Sequence, residues 1–86
     1  MSLFAVYDNG GETADRFTIF TNPPLETHGD RELCLALSND CASPQGVSMC
    51  AYSIRGPHLG RAIAWHDLPA HVRDHAARRL NGPLNA

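Results

Sequence analysis

His71 and His75 stand one helical turn apart, the spacing at which two imidazoles share a metal ion on a helix. No glutamate falls between them as in the metalloprotease pattern, and no third ligand is assigned, so they read as flanks of an apolar helix stripe. Cys34, Cys41 and Cys50 show no C-x-x-C spacing. Cys34 and Cys50 fall inside strand patterns, where cysteine behaves as a small hydrophobe. Cys41 sits in a stretch rich in turn formers and would need a histidine partner to act as a nucleophile, but nothing in the spacing fixes such a pair. The residues therefore call for no catalytic set, no metal and no cofactor, and the chain reads as a non-enzyme.

Two charged groups are left as candidates. Asp8, Asn9, Glu12, Asp15 and Arg16 crowd a short segment around Gly10-Gly11. They form either a polar recognition tip, suited to a protein partner or to a cation held by a carboxylate pair, or ordinary turn chemistry with Asp and Asn bonding the nearby backbone. Arg61, Arg73, Arg78 and Arg79, with Arg55 upstream, are the candidate nucleic-acid contacts; guanidinium groups suit phosphates, and Trp65 or Tyr52 offers a ring for base stacking. A net charge of −2 weighs against a dedicated nucleic-acid binder, and cations in a last helical turn also complement the helix dipole.

The elements that must position these groups follow from hydrophobic pattern and turn signals. A strand over Ser2 to Tyr7 stops at Asn9-Gly10, which tolerate the positive φ of tight turns, and Phe17 to Thr21 returns antiparallel as a hairpin. Asn22-Pro23-Pro24 ends that strand, since proline removes ladder donors. A loop through His28-Gly29-Asp30 leads to a strand over Glu32 to Leu37, with Leu33, Leu35 and Leu37 on one face and Cys34 and Ala36 on the other, so both faces are expected to be covered. Ser38 to Gly46 is turn-rich, Val47 to Ile54 makes a fourth strand, Gly56 to Gly60 a tight connection, and Arg61 to Trp65 a short fifth strand.

One helix follows. Asp67 is the expected N-cap, its carboxylate taking the Ala70 N–H, with Pro69 in the first turn. Leu68, Val72, Ala76 and Leu80 repeat every four residues as the buried stripe, entered at Trp65. Asn81-Gly82-Pro83 supplies a stop. The expected fold is α+β, an antiparallel sheet of four to five strands with one C-terminal helix packed on it, ββββ(β)α.

Eighty-six residues, 43% of them hydrophobic, suffice for a single domain over residues 1–86 and leave little chain for a deep enclosed active site. No apolar run reaches membrane-spanning length, and no basic segment followed by an apolar one opens the chain, so no membrane association or export is expected. An odd number of cysteines argues against a disulfide framework and for free thiols in a reducing cytoplasm. Charge is divided: residues 1–54 hold seven acids and two arginines, a balance of −5, whereas residues 55–86 hold two acids and five arginines, a balance of +3. Lysine is absent. Nothing in the composition specifies an oligomeric state.

The run Tyr7-Asp8-Asn9-Gly10-Gly11-Glu12-Thr13-Ala14-Asp15-Arg16-Phe17-Thr18 resembles the opening of a group of small proteins from phages, plasmids and other mobile elements. The likeness continues at Ser43-Pro44-Gln45-Gly46, at Gly56-Pro57-His58-Leu59-Gly60, and at Asp67-Leu68-Pro69 with Leu80. It implies an accessory role, such as a regulator or an inhibitor of a host system, anti-CRISPR proteins being the best-known small inhibitors of that origin. Charge and resemblance together give the expectation of a protein partner met through the acidic hairpin side, whose carboxylates suit a cationic groove that normally holds nucleic acid. The alternative is a nucleic-acid-binding regulator that uses the C-terminal arginines.

Overall fold

The computed structural model describes residues 3–85, with side chains as far as Leu80. Alternating apolar and polar residues with few charges favour extended chain over much of this length, and six strands form one antiparallel sheet: β1 (Phe4–Asp8), β2 (Phe17–Thr21), β3 (Thr27–His28), β4 (Arg31–Leu37), β5 (Ser48–Ser53) and β6 (Arg61–Ile63). Helix α1 (Ala70–Asn85) follows. The expected α+β architecture of an antiparallel sheet with one C-terminal helix is the observed one.

Register fixes the layout. β1 pairs with β2 from Phe4↔Thr21 to Asp8↔Phe17, β2 with β4 from Phe17↔Leu37 to Phe20↔Cys34, and β4 with β5 from Glu32↔Ser53 to Leu37↔Ser48. β6 joins the free edge of β1 through Asp8↔Arg61 and Val6↔Ile63. Glu32 pairs with both Thr27 and Ser53, so β3 extends the β2 side of β4 while β5 occupies the other. The sheet thus reads β5-β4-β2-β1-β6, with β5 and β6 at its edges.

Both faces are covered, by different means. Val6, Phe17, Ile19, Leu35 and Leu37 share one face and meet Leu68, Val72, Ala76 and Leu80, all buried. That is the expected stripe, and Trp65 stacks on Phe4 at its entry with ring centroids 4.5 Å apart. The opposite face carries Phe20, Cys34, Ala36 and Thr18, also buried. The connection from β5 to β6 has to pass from one edge of the sheet to the other. It does so across this second face, where the Arg55 guanidinium lies 5.1 Å from the centre of the Phe20 ring. Arg55 is held there by Glu32 (2.7 Å) and by donating to the Thr21 carbonyl (3.1 Å).

Several boundaries differ from the sequence reading. β1 runs to Asp8, and the expected start at Ser2 lies outside the described residues. Val47 and Ile54 flank β5 without joining it, and Trp65 belongs to a 3-10 turn, Trp65–Asp67, rather than to β6. The expected loop at His28-Gly29-Asp30 is the turn of a two-residue hairpin, with Gly29 at φ 62°. Asp67 caps the 3-10 turn, not α1: its carboxylate accepts from the Ala64 N–H at 3.1 Å, and Arg73 N donates to the Pro69 carbonyl, which makes Pro69 the residue that opens the helix. The backbone also stays helical to Asn85, past the expected stop at Asn81-Gly82-Pro83. Proline there removes a single donor close to the helix end and leaves the remaining ladder in place.

Candidate functional site

The eight residues between β1 and β2 build the hairpin tip. Glycines at 10 and 11, with φ 76° and 89°, let the chain turn sharply twice. The Gly10 N–H then donates to Asp8 Oδ1 and the Gly11 N–H to Asn9 Oδ1, each at 2.8 Å. Asn9 Nδ2 donates to Thr13 Oγ1 (2.7 Å), whose hydroxyl donates to Asp15 Oδ1 (2.7 Å), and the Asn9 N–H closes the loop on the Arg16 carbonyl (3.0 Å). Arg16 forks onto Asp8, Nε to Oδ1 at 2.8 Å and Nη2 to Oδ2 at 3.2 Å, a two-point pairing that suits the planar guanidinium. The Arg16 hydrogen bond holds the Asp8 carboxyl below the usual aspartate range, against the opposing effect of burial.

The crossing segment pins this tip from the side. Gly60 has φ 107°, and a Cβ placed on it would meet the Asp8 carbonyl and lie 2.6 Å from the Asn9 backbone nitrogen. Only glycine allows that approach. Two of the sequence blocks singled out above, around Asp8-Asn9-Gly10 and around Gly56 to Gly60, are therefore neighbours in space. Between them opens a polar cleft of about 520 Å³ bordered by Asp8, Glu12, Arg16, His58 and Arg61. Of the five predicted tip residues, Asp8, Asn9, Glu12 and Arg16 line this cleft. Asp15 lies half-buried beside them and accepts from the Thr13 hydroxyl.

The predicted arginines are spread over the molecule. Arg61 borders the tip cleft and stabilises the Asp8 charge. Arg73 reaches the His66 carbonyl at 3.4 Å, and Arg79 approaches Cys50 Sγ at 3.9 Å. Arg78 and Arg79 border a second, apolar groove of about 520 Å³ between α1 and the sheet, floored by Ile19, Leu33 and Leu35. Periodicity gave no signal for this groove, because its floor residues also read as plain core.

The histidine pair is occupied by protein. His71 Nε2 donates to the Asn39 carbonyl at 2.6 Å, and His75 Nε2 lies 2.7 Å from Ser48 Oγ. Burial, then Arg78 and Arg79, push the His75 pKa down, so its neutral form is favoured. Among the described residues, no three His, Cys, Asp or Glu side chains gather to hold a metal ion. All three cysteines are free thiols. Burial raises Cys34 to about 11 and also raises Cys41, which packs into the core, so neither is an activated nucleophile. Among the described residues, no helix is long and apolar enough to cross a membrane. Comparison with protein-family models, with curated proteins and with solved structures finds no match to this chain.

Proposed function

We propose that this chain is a non-enzymatic accessory protein of a mobile element, an inhibitor or regulator that covers a surface on a larger host or phage complex through its hairpin tip. The observation that carries this reading is the construction of the tip: side-chain bonds and the Gly60 approach hold eight residues in one shape before any partner arrives. A protrusion ordered in advance loses little conformational entropy on binding. Glu12 stands exposed on it with Asp15 half-buried beside it, and acidic groups steer encounter with a cationic partner surface in a salt-dependent way. The placement of Arg61 at the tip cleft, Arg73 at the His66 carbonyl and Arg78 with Arg79 at the groove beside α1 favours this reading over a nucleic-acid regulator, because guanidinium groups in three places make no continuous track for a phosphate backbone.

The test compares tagged wild-type protein with Glu12→Arg/Asp15→Asn and with Arg73→Ala/Arg78→Ala in pull-downs from host lysate at low and high salt. A discrete partner lost in the tip variant, weakened by salt and kept in the arginine variant supports the proposal. Recovery of nucleic acid alone, abolished only by the arginine variant, overturns it.

A further inference from the structure

We propose that β5 is a docking edge, which takes up an extended segment of another protein as a further antiparallel strand with an acidic side chain opposite Cys50. Among the described residues β5 pairs with β4 alone and ends the sheet on that side. Continued by one residue, its register sets Ser38 opposite Val47, and the Ser38 N–H donates to the Val47 carbonyl, which fixes the phase of the ladder. Met49, Ala51 and Ser53 therefore turn their backbone groups toward β4, and Ser48, Cys50 and Tyr52 turn theirs outward. Sheet edges are ordinarily blunted by charge, proline, a bulge or shortness. β6, at the other edge, is three residues long and opens with Arg61. β5 has none of these devices: its six residues carry no charge and no proline, and they pair one for one with β4. The edge is also open on both faces, through exposed Cys50 and Tyr52 on the α1 side and exposed Met49 on the other.

Charge chooses the occupant. Arg78 and Arg79 are exposed, and Arg79 lies 3.9 Å from Cys50 Sγ on the α1 face of the sheet. A residue opposite Cys50 in an added strand projects its side chain on this same face, beside that guanidinium, where a carboxylate is favoured. Two residues along, the added strand meets Tyr52, whose hydroxyl already donates to Glu26, so an apolar side chain suits that end better than a second acid. On the opposite face it meets Met49 and Ala51, which also suit apolar side chains. Strand addition of this kind draws affinity from main-chain bonds and specificity from alternate side chains. The segment recognised is therefore an extended one with a single acid between apolar residues. A second copy of this chain is a poor occupant. Two β5 strands paired about a two-fold axis would bring Arg78 and Arg79 of both copies to one face of the joined sheet, beside the axis, where like charges repel. β5 lies at the opposite sheet edge from β6, and the inference does not depend on the reading of the hairpin tip.

The test titrates the intact protein with the peptide acetyl-Thr-Val-Leu-Glu-Leu-Val-Thr-amide and follows the backbone amides by NMR. Saturable shifts are expected, largest at Ser48, Cys50 and Tyr52, with slower amide exchange at Cys50 and Tyr52 in the complex. Methylating the peptide nitrogen of Glu, which faces β5, should abolish binding, whereas methylating that of a Leu, which faces away, should leave it. Replacing the Glu by Gln should weaken binding about twofold to fivefold, and Arg78→Gln/Arg79→Gln in the protein should erase that difference. Absence of saturable shifts, equal binding of the two methylated peptides, or a preference for Glu that survives the arginine variant would overturn the proposal. So would self-association through β5, read as shifts of the Cys50 amide with protein concentration in the absence of peptide.

Discussion

The tip cleft and the groove beside α1 are hollows of the same size, about 520 Å³ each, built on opposite principles. Around the cleft, polar atoms are spent on one another: Asp8 serves Arg16 and Gly10, and Asn9 serves Gly11 and Thr13. Around the groove, hydrocarbon dominates and one hydroxyl has no partner. The difference teaches how each region disposes of its polar atoms. A closed polar network fixes shape and can offer only what it projects, here Glu12. Beside the groove the Thr21 hydroxyl lies buried and unpaired, a cost that the fold itself carries.

Removing the wall that makes the groove should have the largest effect. Val72 is fully buried between α1 and the sheet, and Val72→Asp places an unpaired charge there, at a cost of about 3–5 kcal/mol. A urea melt should show the variant largely unfolded; an unchanged midpoint would mean that α1 does not close that side.

The tip is broken next. Gly60→Ala forces a side chain into a left-handed backbone conformation and against the Asn9 nitrogen, and should lose about 3 kcal/mol, with faster amide exchange at Gly10 and Gly11 than at Leu35. Asp8→Ala removes the Arg16 fork and the Gly10 acceptor and should cost about 1–2 kcal/mol.

A pH series separates the two regions further. The pKa values of Asp8 and His75 are both depressed in the folded protein, so each contributes stability at high pH that is lost on acidification. The His75 share declines as pH falls below its ordinary value of 6.5, and the Asp8 share below 3.8. In urea melts at stepped pH, His75→Gln should flatten the first decline and leave the second.

The smallest effect has the opposite sign. Thr21→Val replaces an unpaired buried hydroxyl by a methyl of similar shape and should raise stability by about 1 kcal/mol. A loss instead would show that the hydroxyl is satisfied in solution.

Much of this architecture was legible along the chain, and the exceptions share one cause. Phe17 to Thr21 and the four-residue repeat of Leu68, Val72, Ala76 and Leu80 announce themselves because burial imposes its period locally. The alternation of Leu33, Leu35 and Leu37 with Cys34 and Ala36 signalled two covered faces but not the cover, since Arg55 reaches Phe20 through a crossover that no local pattern encodes. Thr27-His28 is too short and polar to register as a strand. His71 and His75 read as flanks of the apolar stripe, but their partners, Asn39 and Ser48, lie 32 and 27 residues away and left no local signal. The tip residues were found from turn chemistry, and turn chemistry occupies most of them. Thr21 was unremarkable in a strand, where threonine is common; its unmet hydroxyl is a property of the folded packing.

The passage of residues 54–60 across the sheet also sets an order of assembly. Hairpins β1–β2 and β4–β5 close between chain neighbours, but Arg61 must find Asp8 from far along the chain, with the crossing segment already laid over Phe20. Closing so long a loop is entropically expensive until its contacts form. β6 is therefore expected to join last and leave first, with the Gly60 contact beside the tip formed late. The tip would then take its final shape only when the rest of the molecule is complete.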